Sequence, residues 1–169
     1  PENLRATSKR PNIGLDMSEA IRKIHKAGIE IIGSFVLGLD GDDRNVFKKT
    51  AKFAEVHKLA AAQFSVLTPF PGTVIRRQLE EEGRITDQDW SHYTMSKVVF
   101  TPRHMTAEEL EAGQKATYRD FYSYPSILKR SFTLRGKLVL RLMVNISYRS
   151  INRGNGGLCK GLPEHLEVH

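Results

Sequence analysis

The sequence predicts an α/β fold built on parallel strands, and three observations carry that expectation. First, residues 29–37 hold Ile29, Ile31, Ile32, Phe35, Val36 and Leu37 in a nearly continuous apolar run. Such a run suits a strand buried on both faces, as parallel sheets bury them. Second, helical and strand periodicities alternate from residue 16 to residue 67. That order implies right-handed parallel crossovers. Third, Gly38 and Gly41 break the apolar run at its carboxyl end, and Asp42 and Asp43 follow as helix N-cap candidates. Ligands bind at the carboxyl ends of parallel strands. Glycines there either make an ordinary turn or let the backbone come close to a ligand.

Taken in order, residues 1–15 are polar and irregular, with Pro1 and Pro11. Asp16 reads as an N-cap with Glu19 completing a capping box. Met17, Ala20, Ile21, Ile24 and Ala27 keep helical spacing until Gly28 stops the helix. After the strand at 29–37, a second helix is expected over about 43–58 and a second strand over 61–67. A short helix over 73–82 ends at Gly83, and Glu80, Glu81 and Glu82 read as its solvated face. Residues 86–105 are loop-rich, with Trp90 and Tyr93 as packing anchors and a short edge strand over 97–100. Thr106 and Glu109 form another capping box, starting a helix to about 122. Leu110, Thr117 and Phe121 lie on its inner side, and Pro125 closes it.

The 169 residues allow one domain with a real core, or a smaller core plus an extension. No apolar run reaches the roughly 18 residues of a membrane span. The opening Pro1-Glu2-Asn3-Leu4-Arg5 does not read as a signal peptide, so a cytoplasmic protein is expected. A first residue other than Met reads as a piece of a longer chain. Charge is uneven: residues 1–120 hold 18 Lys/Arg and 17 Asp/Glu, whereas residues 121–169 hold 8 and 2. The single cysteine, Cys159, excludes an intramolecular disulfide and any multi-cysteine metal site within the sequence. The six histidines show no ligand spacing outside the terminal His165 and His169.

Val36-Leu37-Gly38-Leu39-Asp40-Gly41-Asp42 resembles the Ile-x-Gly-Leu/Phe-Pro-Gly-Glu turn after the fifth barrel strand of radical SAM enzymes. It departs at Asp40, where proline is usual, and at Asp42, where glutamate is usual. Pro69-Phe70-Pro71-Gly72-Thr73 resembles the family's turn after the sixth strand. Leu4, Lys9 and Asn12, Glu82-Gly83-Arg84, and the run Met105 to Leu110 match further family features. The resemblance covers roughly residues 1–125 and is closest to members with an N-terminal cobalamin-binding domain. It implies the C-terminal part of a TIM-barrel-like partial (β/α) barrel. Residues 1–85 would supply strands five and six, residues 86–125 a post-barrel loop and helix, and residues 126–169 a basic helical tail. It further implies a 4Fe–4S cluster that cleaves S-adenosylmethionine, held by cysteines upstream of Pro1, with cobalamin as a possible second cofactor. Val36 and Gly38 would touch the adenine, Leu67 and Phe70 would close beside it, and substrate would enter over the same mouth. No catalytic residue or metal ligand is expected within this chain, and its partner would be the remainder of its own barrel.

The tail supports several readings. Lys and Arg interleave with large aliphatics, and a helix is expected over 137–149. It could pack on its own or a neighbouring domain, or residues 134–149 could lie on an anionic membrane surface. RNA binding fits less well, because only Phe132 and Tyr148 could stack. A non-catalytic interaction module and a basic membrane- or RNA-associated protein therefore stand beside the enzyme reading.

Overall fold

The computed structural model describes residues 16–131 and 138–154. Its elements are α1 (Met17–Lys26), β1 (Ile32–Leu37), α2 (Val46–Val56), β2 (Ala61–Val66), α3 (Val74–Glu81), a 3-10 turn at Trp90–His92, α4 (Ala107–Phe121), α5 (Tyr124–Ser131) and α6 (Leu138–Gly154). β1 and β2 pair in parallel, from Ile32 opposite Ala61 to Leu37 opposite Val66. The α/β class and the parallel crossover are as expected. Among the described residues the sheet has two strands, so a barrel is not seen. The expected segment at 1–15, Cys159, His165, His169 and the glycines after 154 lie outside the described residues.

Local chemistry explains most boundaries. The Asp16 carboxylate accepts from the Ser18 and Glu19 amides at 3.0 and 3.2 Å, which caps α1. Glu19 does not complete a capping box. It pairs with Arg22 and Lys23 along the helix instead. Thr106 and Glu109 do form the expected box at the start of α4. Thr73 caps α3 through its hydroxyl. α2 begins three residues later than predicted: Asp43 accepts from the Asn45 amide, and Asn45 makes no side-chain cap. Pro125 does not simply close a helix. It falls in the first turn of α5, where its missing N–H costs nothing.

The largest difference from expectation concerns β1. Its apolar run predicts burial on both faces, yet exposure alternates, and Ile32 and Val36 are 68% and 45% exposed. The reason is layering. Gly33, Phe35 and Leu37 are the less exposed set and Phe35 meets Phe53 of α2, while Ile32, Ser34 and Val36 lie on the exposed face. β2 is the most buried strand. Phe64 sits at the centre of the core, stacked on Phe35 at 5.5 Å and met edge-on by Tyr118 and Phe121. Gly113 lets α4 approach α2, since a Cβ there would run into the Phe47 ring.

β2 is paired with β1 on one side only, and its outer edge is closed by side chains. The Tyr122 hydroxyl accepts from the Ala62 amide at 3.1 Å and donates to the Ala62 carbonyl at 2.9 Å. The Tyr118 hydroxyl accepts from the Phe64 amide at 3.0 Å. Gln114 donates to the Phe64 carbonyl at 2.8 Å and to the Met95 carbonyl at 2.9 Å. The Val66 amide donates to the Met95 carbonyl. Residues 114, 118 and 122 are four apart, so one helical face presents all three. Beneath them the fully buried Arg130 guanidinium donates to the carbonyls of Leu59 and Phe121 and to Asn145 Oδ1, each at 2.9 Å. Its face lies 3.6 Å from the Phe121 ring centre. Burial pulls Arg130 down to about 10, which still leaves it charged at neutral pH.

Replacing Tyr122 with Phe strands both polar groups of Ala62 in the interior. We expect a loss of about 2–4 kcal/mol in urea unfolding. Burial also raises the Tyr122 hydroxyl to about 12. Because the folded value is raised, this stabilisation is complete below about pH 10 and is lost as pH climbs through about 12. The stability gap between wild type and Tyr122→Phe should therefore narrow across that window.

Candidate cofactor-binding site

The carboxyl ends of the two strands are joined by the Leu67 amide donating to the Leu37 carbonyl at 2.8 Å. From there β1 enters the loop Gly38–Asp42 and β2 enters the turn 67–73. Gly38 is buried with φ +91. A Cβ at that position would lie 2.5 Å from Leu110 Cδ2. Two constraints thus require glycine here: a left-handed backbone and close contact with α4.

Two aspartates hold this loop. Asp42 turns back, and its Oδ2 accepts from the amides of Gly38 and Leu39, both at 3.0 Å. Asp40 reaches outward to a two-pronged bond with Arg84, at 2.8 and 3.2 Å, and to Arg103 at 2.9 Å. Glu82 accepts from both arginines, closing a four-residue ion network. Arg84 also donates to the Thr101 carbonyl. Partial burial raises the Asp40 carboxyl, but the hydrogen bonds from Arg84 and Arg103 outweigh it and leave the group below its usual range. Its Arg84 partner is held above the ordinary guanidinium value, first by its bond to Asp40.

Beside the loop, an apolar groove of about 770 Å³ runs between α1 and the edge of β1. Met17 and Ile24 form one wall, Phe35 and Val36 the floor, and Leu39 and Leu67 the upper end. The carbonyls of Ile31 and Leu37 point to β2, accepting from Ala60 and Leu67. By the alternation of a parallel ladder, the amides and carbonyls of Ser34 and Val36 point to the opposite edge, along the groove. Apolar walls with backbone hydrogen-bonding groups at one margin can take a flat heterocycle or a further strand.

Of the four residues singled out from sequence, Val36 and Leu67 share this groove. Gly38 shapes the loop above it but is covered by Leu110, so its close contact is with protein. Phe70 is 47% exposed on the next turn and is not part of the groove wall. Leu39, Met17 and Ile24 were not anticipated as site residues. The α1 pair reads from sequence only as a packing stripe, and nothing local sets it apart from core. Elsewhere, His92 Nδ1 lies 2.7 Å from Asp87 Oδ2, and Lys97 joins the same carboxylate at 3.4 Å. Arg76 lies over Trp90, and its Nη1 donates to the buried Tyr93 hydroxyl. Among the described residues no group of three or more His, Cys, Asp or Glu could hold a metal ion. No described helix is long and apolar enough to cross a membrane.

No protein-family model matches the sequence. Curated relatives do. An uncharacterised methyltransferase of Pyrococcus horikoshii is 29% identical over 124 residues, covering 73% of this chain and 27% of that protein. Bacteriochlorophyllide d C-12(1)-methyltransferase of Chlorobaculum tepidum is 29% identical over 130 residues, 77% of this chain and 28% of that enzyme. Anaerobic magnesium-protoporphyrin IX monomethyl ester cyclase of Cereibacter sphaeroides is 30% identical over 104 residues, 62% of this chain and 17% of that enzyme. The chain therefore spans less than a third of the length of these relatives.

Two variants test the loop. Gly38→Ala should cost about 1–3 kcal/mol from the backbone conformation alone, and more from the Leu110 contact, read as a lower urea midpoint. Asp40→Asn should lower stability at neutral pH. Because the folded Asp40 value is depressed, that loss should be full above the ordinary aspartate value of 3.8 and shrink as pH falls below it.

Proposed function

We propose that this chain is the C-terminal part of a radical SAM enzyme and that it supplies the adenine side of the S-adenosylmethionine pocket. The observation that carries this reading is the asymmetry of the sheet. β2 is sealed by Gln114, Tyr118 and Tyr122, whereas β1 turns an open edge onto an apolar groove. Such a sheet is built to continue in one direction, past β1. The rest of the barrel is then the principal partner of the groove margin. Val36 on its floor and Leu67 at its upper end offer apolar faces for a purine, and Leu39 adds a third. Gly38, Asp42 and the Asp40–Arg84 pair hold the loop that forms the rim. Phe70, on the neighbouring turn and outside the groove wall, would close beside the adenine.

The relatives' names favour methyl transfer as the reaction, with S-adenosylmethionine as the methyl or radical source. A 4Fe–4S cluster needs three thiolates in this family, and the one cysteine of the sequence, Cys159, does not fit that donor set. The cluster, and any cobalamin, therefore belong to the remainder of the polypeptide. What this chain's own residues do is bind and orient the adenosyl group and exclude water around it.

Equilibrium dialysis with S-adenosylmethionine tests the reading. The full-length polypeptide should bind it, and the 169-residue chain alone should bind far more weakly. Val36→Asp in the full-length protein should weaken binding by about tenfold or more, because an unpaired carboxylate would meet the purine face. Unchanged affinity in that variant would remove the groove from the pocket.

A further inference from the structure

Met95 is exposed, yet it is fixed at both its backbone and its side chain. It projects from the turn 94–97, between Tyr93 and Val98, which are buried. Its carbonyl accepts from the Val66 amide at 2.8 Å and from Gln114 Nε2 at 2.9 Å. Its sulfur accepts from the Ser65 hydroxyl at 3.6 Å. The residue is nevertheless 42% exposed. Holding a methionine side chain still costs rotamer freedom, and here little burial offsets that cost. A methionine that only filled a gap in the core would be covered and would adapt its shape to the gap.

The sheet decides where this side chain lies. Val66 turns its amide to the outer edge of β2, so the Met95 backbone is on the side away from β1. Ser65 points to the opposite face from Phe64, whose ring packs on α4. Register sets Ser65 beside Val36. The Met95 thioether therefore reaches back over the face that carries Val36, near the carboxyl ends of both strands. Val36, Ser65 and Met95 form one row across that face. Its strand residues are Ile32, Ser34 and Val36 on β1 and Ala61, Gln63 and Ser65 on β2, none of them charged.

We propose that Met95 contacts the cofactor, its thioether forming the far wall of the adenine pocket. The inference rests on the cofactor reading above and adds a wall, from the loop after α3, that neither strand supplies. Val36 and Leu67 offer apolar contact to the purine, and its far margin extends over Ser65 to the sulfur. An uncharged face suits a neutral heterocycle and gives a phosphate or carboxylate no counter-charge. A polarisable sulfur about 5 Å from an aromatic ring, often at the ring edge, is a favourable neighbour. The Ser65 hydroxyl and the two bonds to the Met95 carbonyl set the position of that sulfur before a ligand enters, which lowers the ordering cost of binding.

The test uses the full-length polypeptide under anaerobic conditions, isotopically labelled at its methionine methyl groups. The Met95 methyl resonance, assigned by its loss in the Met95→Leu variant, should move when S-adenosylmethionine is added. It should not move with methionine alone, because only the purine carries a ring current. In equilibrium dialysis, Met95→Ala should bind S-adenosylmethionine about three- to tenfold more weakly while melting near wild type. The resonance reads the contact without any substitution at Met95, so it decides the matter even where the alanine variant folds poorly. An unmoved resonance, or wild-type affinity in a folded Met95→Ala variant, overturns the proposal. If Val36→Asp still weakens binding in that case, the cofactor reading stands and Met95 alone leaves the pocket. If Val36→Asp also binds normally, both fail.

Discussion

The outer edge of β2 is where the rest of the structure takes its bearings. An unpaired strand edge in a protein interior leaves amides and carbonyls that must find partners or cost several kcal/mol. Here Tyr122, Tyr118 and Gln114 meet them in turn, from the start of the strand toward its end. This fixes α4 against β2 in both rotation and height, because each side chain must reach one particular backbone group. It also ends the sheet on that side. Tyr122 in turn anchors α6: its ring stacks on Tyr148, and its carbonyl accepts from Arg149.

Arg130 extends the same logic to the lower end of the sheet. A buried guanidinium is tolerated only when its donors are met. Its partners come from the turn before β2, the end of α4 and the middle of α6. One side chain therefore ties together segments about 70 residues apart in sequence. With the polar faces of α5 and α6 used in this way, Val139, Met143 and Ile146 of α6 are left exposed.

The candidate site depends on the opposite edge. Gly38 must be glycine because α4 presses Leu110 against it and the backbone is left-handed. Asp42 stabilises that turn from within, and Asp40 ties it to Arg84 and Arg103 from outside. This loop is held by an ion network, which is sensitive to pH and salt.

Much of the fold was determined by the sequence alone. The helix–strand alternation, the caps at Asp16 and Thr106, and the stops at Gly28 and Gly83 are local chemistry, set within a few residues, and the sequence reveals them. Val36 and Leu67 were singled out by the resemblance, and they line one groove because each lies at the end of a strand that the crossover sets beside the other. What tertiary structure alone decided involves partners distant in the chain. An apolar run does not say which of its faces will be covered, so the wet face of β1 was not legible. Gln114, Tyr118 and Tyr122 look like ordinary helix residues until β2 lies beside them. Asp40 finds Arg84 and Arg103 only after the loops meet. In α6 the sequence shows basic and aliphatic residues in alternation, and amphipathicity alone would turn the aliphatics inward. The fold turns Val139, Met143 and Ile146 out, because Glu30, Ala60 and Tyr122 present charges and carbonyls that the arginines and Asn145 can satisfy and aliphatics cannot.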